Sequence, residues 1–445
     1  MSLSNHPKAY GTAVVVTAFV AGVLLTLGFK DLYPDLERRY QRRRGQPSSS
    51  SDSRPGSTYL PPVKLEDHTR SARQSTVGVA AQLPEGIEGC IGNTPLFKIK
   101  SLSEATGCVI LGKAEFLNGA GGSPKDRVAL NMIRTAEANG LLTPGQGDTI
   151  YEGTVGSTGI SLATLARAMG YKAHICMPND QSTEKSDLLT RLGATVERVS
   201  PAPITSTSHF VNLARTRAKE HTASAEDSSK GFFADQFESM ANNKAHFEGT
   251  GPEIFTQTGG QIDAFVAGAG TGGTISGIAM YLKQEMGRGG SVKVILADPE
   301  GSGLYNKVKN GVMFSNTEKE GTRRRQQVDT IVEGIGINRI TENFEVGREL
   351  IDDAVKVTDV QAMKMARWLV EKDGIFVGSS SAVNCVAAVV TALRMRQDSR
   401  IVTILCDSGT RHMSKFWKQV GEMGLEEEHT DLLDLLGVDE HGNWK

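Results

Sequence analysis

Four short stretches of this chain set glycines beside hydroxyl or amine side chains, a combination suited to holding anions. In AGAGTGGTISG (267–277), Gly270, Gly272 and Gly273 let main-chain N–H groups come close to an anion. Thr271 and Thr274 add hydroxyls, and a helix starting there would add its dipole. Such a loop is a phosphate cradle, a dinucleotide turn or a tight connection. No acidic residue follows a strand at the place that would hold a ribose, which disfavours NAD. NGAGGSPKDR (118–127) puts Lys125 at the mouth of a helix behind a glycine-rich turn. A lysine there is either a surface residue beside an N-cap or the amine that forms a Schiff base with a cofactor aldehyde. EGTVGSTG (152–159) offers Thr154, Ser157, Thr158 and exposed N–H groups to a carboxylate. ILCDSGTRHMSKF (404–416) is a polar turn after an apolar run, and its simplest reading is an N-cap by Asp407 or Ser408.

These stretches need elements that aim them. CVILGK (108–113), TIYE (149–152), HICM (174–177), ATVERV (194–199), AFVAG (264–268), VKVILA (292–297) and IVTILC (401–406) read as strands. Amphipathic runs at 128–138, 163–169, around Leu188 and Leu189, and at 275–285 read as helices. Strands alternating with helices of this size imply an α/β fold with parallel sheets covered on both faces. Ligands in such folds sit beyond the carboxyl ends of the strands, where every motif above falls.

The bulk composition narrows the class. Forty-nine basic against 51 acidic residues, a net charge of −2, argue against a nucleic-acid partner. Five scattered cysteines without a CxxC pair argue against a disulfide framework or a zinc site, so no metal is expected. The N-terminus is a separate module. Residues 9–29 carry no charge, and the helix 12–29 would reach about 27 Å, close to the thickness of a bilayer core. A secretory signal would carry its basic flank before the apolar run. Here Lys30, Arg38, Arg39, Arg42, Arg43 and Arg44 follow it, and no clear small-residue cleavage site does, so an uncleaved single-pass anchor is expected with the rest of the chain in the cytosol. The Ser-, Pro- and Gly-rich stretch 45–62 reads as a tether.

IGNTPL (91–96), GGSPKDR, EGTVGSTG, QFES (236–239), TGPEI (250–254), GAGTGGT, VEGIG (332–336) and GSSSA (378–382) follow one another in the order seen in cysteine synthases and in the catalytic core of cystathionine β-synthase. Over about residues 86–417 the chain thus resembles the fold-type II pyridoxal-phosphate enzymes, which are tryptophan synthase β-like, with two subdomains that each contain a parallel sheet. The resemblance implies pyridoxal 5′-phosphate as cofactor and Lys125 as the catalytic Schiff-base lysine. It implies Gly270, Thr271, Gly272, Gly273 and Thr274 as the phosphate loop, with Ser157 and Ser408 as further cofactor contacts and Ser408 facing the pyridine nitrogen. Thr154, Gly156, Thr158, Gln236 and Gly334 become substrate contacts. Two departures stand out. The family's substrate loop reads T-S-G-N-T-G, whereas Val155 and Ser157 occupy its second and fourth positions here, and the asparagine of the lysine motif is displaced to Asn118.

The implied activity is that of an O-acetylserine sulfhydrylase, a transferase making L-cysteine and acetate from O-acetyl-L-serine and sulfide in cysteine biosynthesis. The alternatives are cystathionine formation and a weakly catalytic, membrane-tethered cofactor-binding protein. The expected organisation is an anchor at 1–30, a linker at 31–85, a catalytic domain at 86–422 and a tail at 423–445. Within the catalytic domain, about 115–237 would form a small subdomain, and about 86–114 with 238–422 a large one. The likeness is greatest to fungal-type, membrane-anchored mitochondrial cysteine synthases. It implies a homodimer on the mitochondrial outer membrane, the endoplasmic reticulum being the other membrane considered.

Overall fold

The computed structural model describes residues 85–181, 183–224, 228–285, 292–313, 330–424 and 431–445. The expected anchor and nearly all of the linker lie outside these residues. Among the described residues no helix is long and apolar enough to cross a membrane. Residues 81–445 form one compact unit.

Among the described residues ten strands build two sheets: β1 (Leu96–Lys98), β2 (Val109–Ala114), β3 (Thr149–Gly153), β4 (Lys172–Pro178), β5 (Thr195–Val199), β6 (Gly231–Phe233), β7 (Ala264–Gly268), β8 (Lys293–Pro299), β9 (Asp353–Val357) and β10 (Arg400–Leu405). One sheet has the order β1-β2-β10-β7-β8-β9 and the other β5-β4-β3-β6. All pairings are parallel except β1 with β2, where Leu96 stands opposite Lys113. That antiparallel edge departs from the all-parallel expectation, and its cause is local. The short helix Lys100–Thr106 returns the chain at once to the same edge, leaving no room for a crossover.

The parallel strands follow from their sequences. AFVAG of β7 and TIYEG of β3 are buried at every residue, as strands covered on both faces must be. One face of the larger sheet packs on the helix Ser379–Leu393, which is buried all round except at Leu393. The other packs on the helix Gly273–Glu285 through Ile275, Ile278 and Leu282 against Phe265 and Leu296. Phe265 is fully buried, and its loss to alanine would cost roughly 3–5 kcal/mol. The smaller sheet packs Ile150 and Ile175 on Ile133, Leu162 and Leu165. The segment after 423, read from sequence simply as a tail, returns to the core. Leu432, Leu435, Leu436 and Val438 are buried with Leu369 and Val386.

A buried ion network ties the start of the Lys125–Ala138 helix to the larger sheet. Arg127 donates to Glu115 at 2.7 Å and to Glu253 at 2.6 Å, and Lys113 of β2 donates to the same Glu253 at 2.6 Å. Burial pushes the Glu115 carboxyl up, but Arg127 outweighs it and holds the group down at about 2. Removing one partner of such a buried set typically costs about 3–5 kcal/mol, so the helix carrying Lys125 is firmly seated.

Candidate active site

Lys125 opens its helix directly after Pro124. The turn before it is closed by the next residue. Asp126 accepts from the N–H groups of Gly121 and Gly122 at 2.8 Å and from Ser161 Oγ at 2.6 Å. Ser161 lies on the helix Ser157–Ala168, so Asp126 joins the lysine turn to the end of the EGTVGSTG loop. The Lys125 amine is pushed below its ordinary range by burial, which outweighs the opposing pull of Asp407. An amine so shifted is easier to find uncharged, as a nucleophile or base must be.

The glycine loop runs from β7 into the helix Gly273–Glu285, whose first N–H groups have no acceptor inside the helix. Its glycines are required by protein packing. A Cβ on Gly270 would meet the carbonyl of Gly334 at 2.4 Å, and one on Gly273 would meet Asn242 Oδ1 at 2.1 Å. Gly272 has φ +89°, and a Cβ there would lie 2.5 Å from Phe344. The two threonines are oriented from outside the loop. Thr271 Oγ1 accepts from Asn242 Nδ2 at 2.8 Å, and Thr274 Oγ1 lies 3.1 Å from His246 Nε2. Burial holds the His246 imidazole far down, at about 3, so it is neutral at ordinary pH.

Thr154, Thr158 and Gln236 are all buried. Thr158 Oγ1 donates to Gln236 Oε1 at 2.6 Å, and Asn242 Nδ2 donates to the Gln236 carbonyl at 2.8 Å. One chain of hydrogen bonds therefore runs from the 154–159 loop through Gln236 and Asn242 to Thr271. Gly156 stands in the open, with nothing within 4 Å of a Cβ placed on it. Ser157 Oγ accepts from Arg411 Nη1 at 3.1 Å and lies 3.5 Å from Asp407 Oδ2. Glu152, just before the loop, is fully buried, and burial raises its carboxyl to about 8 despite N–H groups donated by Gln236 and Gly153.

Ser408 is placed differently from the rest. Its Oγ is engaged by Thr410, whose N–H and hydroxyl lie 3.3 and 3.0 Å away, and it caps the turn Gly409–His412. The preceding Asp407 is the member of that pair which acts on Lys125. Four participants escaped sequence reasoning: Asn242, His246, His412 and Ser380. Ser380 is 4 % exposed. It sits inside the GSSSA stretch, which carried a recognisable signal but no assigned role. Asn242, His246 and His412 carried no motif that could have marked them.

The set fits a phosphorylated aldehyde. The site has a desolvated amine and a glycine loop at a helix start, and three buried polar atoms of the surrounding side chains, Asn242 Oδ1, Asp407 Oδ1 and His412 Nδ1, have no hydrogen-bond partner. Elsewhere, His174, Cys176 and Glu197 bring ligand atoms within 4.8 Å of one another. Glu197 there is already held by Arg217 at 2.9 Å and His174 at 3.0 Å.

The family described as "Pyridoxal-phosphate dependent enzyme" matches residues 87–407. "Cysteine synthase 2" of Neurospora crassa is 67 % identical over 99 % of this chain and 99 % of its own length. A Saccharomyces cerevisiae relative, provisionally named as a mitochondrial cysteine synthase, is 55 % identical over 76 % of this chain and 85 % of its own. Among solved structures, an O-ureido-L-serine synthase is similar with a TM-score of 0.65 and 29 % identity, over 78 % of this chain and 98 % of that one.

Proposed function

As this chain belongs to the pyridoxal-phosphate dependent enzyme family, we propose that it makes L-cysteine and acetate from O-acetyl-L-serine and sulfide, as an O-acetylserine sulfhydrylase. The observation that carries this reading is the meeting of a desolvated Lys125, the 270–274 loop and the 154–159 loop, together with the identity to cysteine synthases along the whole chain. When bound, pyridoxal 5′-phosphate supplies the electron sink that lets an amino acid give up its α-proton.

The rest is done by this chain's own groups. The amine of Lys125 would hold the cofactor's aldehyde and, when free, would accept the substrate's α-proton, for which its lowered proton affinity suits it. The N–H groups at 271–274 and the two threonine hydroxyls hold the phosphate, with Thr274 oriented by His246 and Thr271 by Asn242. Thr154 and Thr158, with the N–H groups of the loop, bind the substrate carboxylate, and Gln236 fixes the Thr158 hydroxyl. Gly334, packed against Gly270, leaves room beside the substrate. Either Ser380 or Ser408 provides the hydroxyl for the ring nitrogen. Ser380 is favoured because it is the more deeply buried of the two.

The direct test is Lys125→Ala. It should abolish the visible absorption of bound cofactor and reduce cysteine formation below detection. Borohydride reduction of the native protein followed by peptide mapping should find the cofactor on the peptide containing Lys125, and a cofactor found on another lysine would overturn the assignment. Serine with homocysteine should give far less product than O-acetyl-L-serine with sulfide. The reverse ratio would favour the cystathionine-forming reading.

The uncharged stretch 9–29 and its basic flank support a mitochondrial outer-membrane anchor with the catalytic body in the cytosol. The provisional mitochondrial assignment of the yeast relative agrees. Protease added to intact mitochondria should digest the body, whereas protection would place it inside. Deleting residues 1–60 should leave a protein that still binds cofactor. The homodimer rests on family resemblance, and sedimentation of that truncated protein would test it.

A further inference from the structure

Asp407 lies two residues beyond the end of β10, and its carboxylate is buried. Oδ2 is 3.0 Å from His412 Nε2 and 3.5 Å from Ser157 Oγ, and Oδ1 has no protein partner. His412 is 5 % exposed. Its Nδ1 has no hydrogen-bond partner but points to Glu333, whose Oε2 is 3.9 Å away. Glu333 in turn pairs with Lys185 at 3.0 Å. The main chain clamps the two side chains together, because a Cβ on Gly378 would lie 2.2 Å from Asp407 Oδ1 and 2.4 Å from His412 Nε2.

We propose that Asp407 and His412 form a buried ion pair that sets one negative charge beside Ser157, at the start of the helix that Asp126 ties to the lysine turn, making both residues positioning groups for Lys125. A buried carboxylate without a cationic partner would take up a proton instead. Two further groups stand near the Lys125 amine, and neither carries charge at neutral pH. Burial, with Asp407, pushes the Cys406 thiol up to about 12, and burial holds the His246 imidazole at about 3. Burial alone would lower the proton affinity of His412, but Asp407 and then Glu333 outweigh it, against Lys185, and the imidazole sits above its ordinary range. The same carboxylate reaches Ser157, which also takes a hydrogen bond from Arg411, so the pair touches the substrate loop.

The catalytic meaning of the pair rests on the reading of Lys125 given above, but its charge does not, and the test separates the two. In the cofactor-free full chain, the pH dependence of Lys125 acylation by an amine reagent is followed by mass spectrometry, and the His412 imidazole is titrated by NMR. Asp407→Asn should lower both midpoints, that of Lys125 by about one pH unit, the order expected for loss of a nearby opposite charge. His412→Gln keeps a donor to Asp407 but no charge. It should let the buried carboxylate take up a proton and so lower the Lys125 midpoint in the same direction. That result would hold the proposal even if Asp407→Asn failed to fold. An unchanged or raised Lys125 midpoint in either folded variant would overturn it. Borohydride mapping of the cofactor to a different lysine would remove the catalytic consequence and leave the ion pair standing.

Discussion

The two glycine-rich loops joined through Gln236 and Asn242 are built on opposite terms. In the 270–274 loop each glycine is pressed on by protein, by the Gly334 carbonyl, by Phe344 and by Asn242. In the 154–159 loop Gly156 is extended at φ −136° with nothing near it, and Ser157 is held by contacts of 3.1 and 3.5 Å. The first loop cannot move without moving the core around it. The second has space to close on a small molecule. Glycine serves close packing throughout the first loop, whereas in the second only Gly159 is packed, with Thr154 Cγ2 2.9 Å from a Cβ there, and Gly156 is open. A site that keeps its cofactor while exchanging its substrates needs one loop of each kind.

Breaking the enclosed loop should have the largest effect. Gly272→Ala places a Cβ 2.5 Å from Phe344 at φ +89°, a cost on the order of 2–4 kcal/mol. Cofactor affinity, read by titrating its absorbance, should fall about 100-fold, with a lower melting temperature. Retained affinity would mean that the loop yields as easily as its counterpart.

The open loop rests on the buried carboxyl of Glu152, which keeps its proton up to about pH 8 in the folded protein but loses it near 4.5 when unfolded. Stability should therefore decline as pH rises from about 4.5 to about 8 and level off above, by roughly 2–4 kcal/mol after relaxation. Glu152→Gln should remove that decline, measured by denaturant unfolding at two pH values. A parallel decline in the variant would assign it to other groups.

Ser157→Asn offers a longer arm and two donors, and a well-made hydrogen bond to a partly anionic ring oxygen contributes about 1.5–3 kcal/mol. The amide must also displace the Arg411 contact. The net expectation is a rate with O-acetyl-L-serine raised roughly 3- to 10-fold, with cofactor binding unchanged. A lower rate with O-acetyl-L-serine but not with O-phosphoserine or serine would instead make Ser157 and Val155 a substrate filter. The smallest effect belongs to Gly156→Ala, which should change stability by less than about 0.5 kcal/mol and leave cofactor affinity within twofold. A large loss of affinity there would erase the contrast between the two loops.

Much of this molecule was legible in its residues. Parallel strands covered on both faces must be apolar end to end, so AFVAG, TIYE and IVTILC announced β7, β3 and β10. Glycine-rich turns at strand ends are local, so the lysine turn and both loops could be read as strings. β6 and β1 were not legible. Each has three residues, and pairing with a neighbour, β3 for one and β2 for the other, makes each a strand. Nor could the letters D-S at 407–408 say which side chain turns to Lys125. That choice depends on Gly378 and His412 closing on Asp407 while Thr410 draws Ser408 into a cap. His246 and Asn242 sit in helical turns without a motif, and they matter because packing sets them against Thr274 and Thr271. Local pattern determined the strands and the turns and singled out Lys125 as the lysine proposed to react. The partners of those groups, and the charges they carry, were decided by contacts between residues far apart in the chain, because desolvation and hydrogen bonding depend on what the fold brings near.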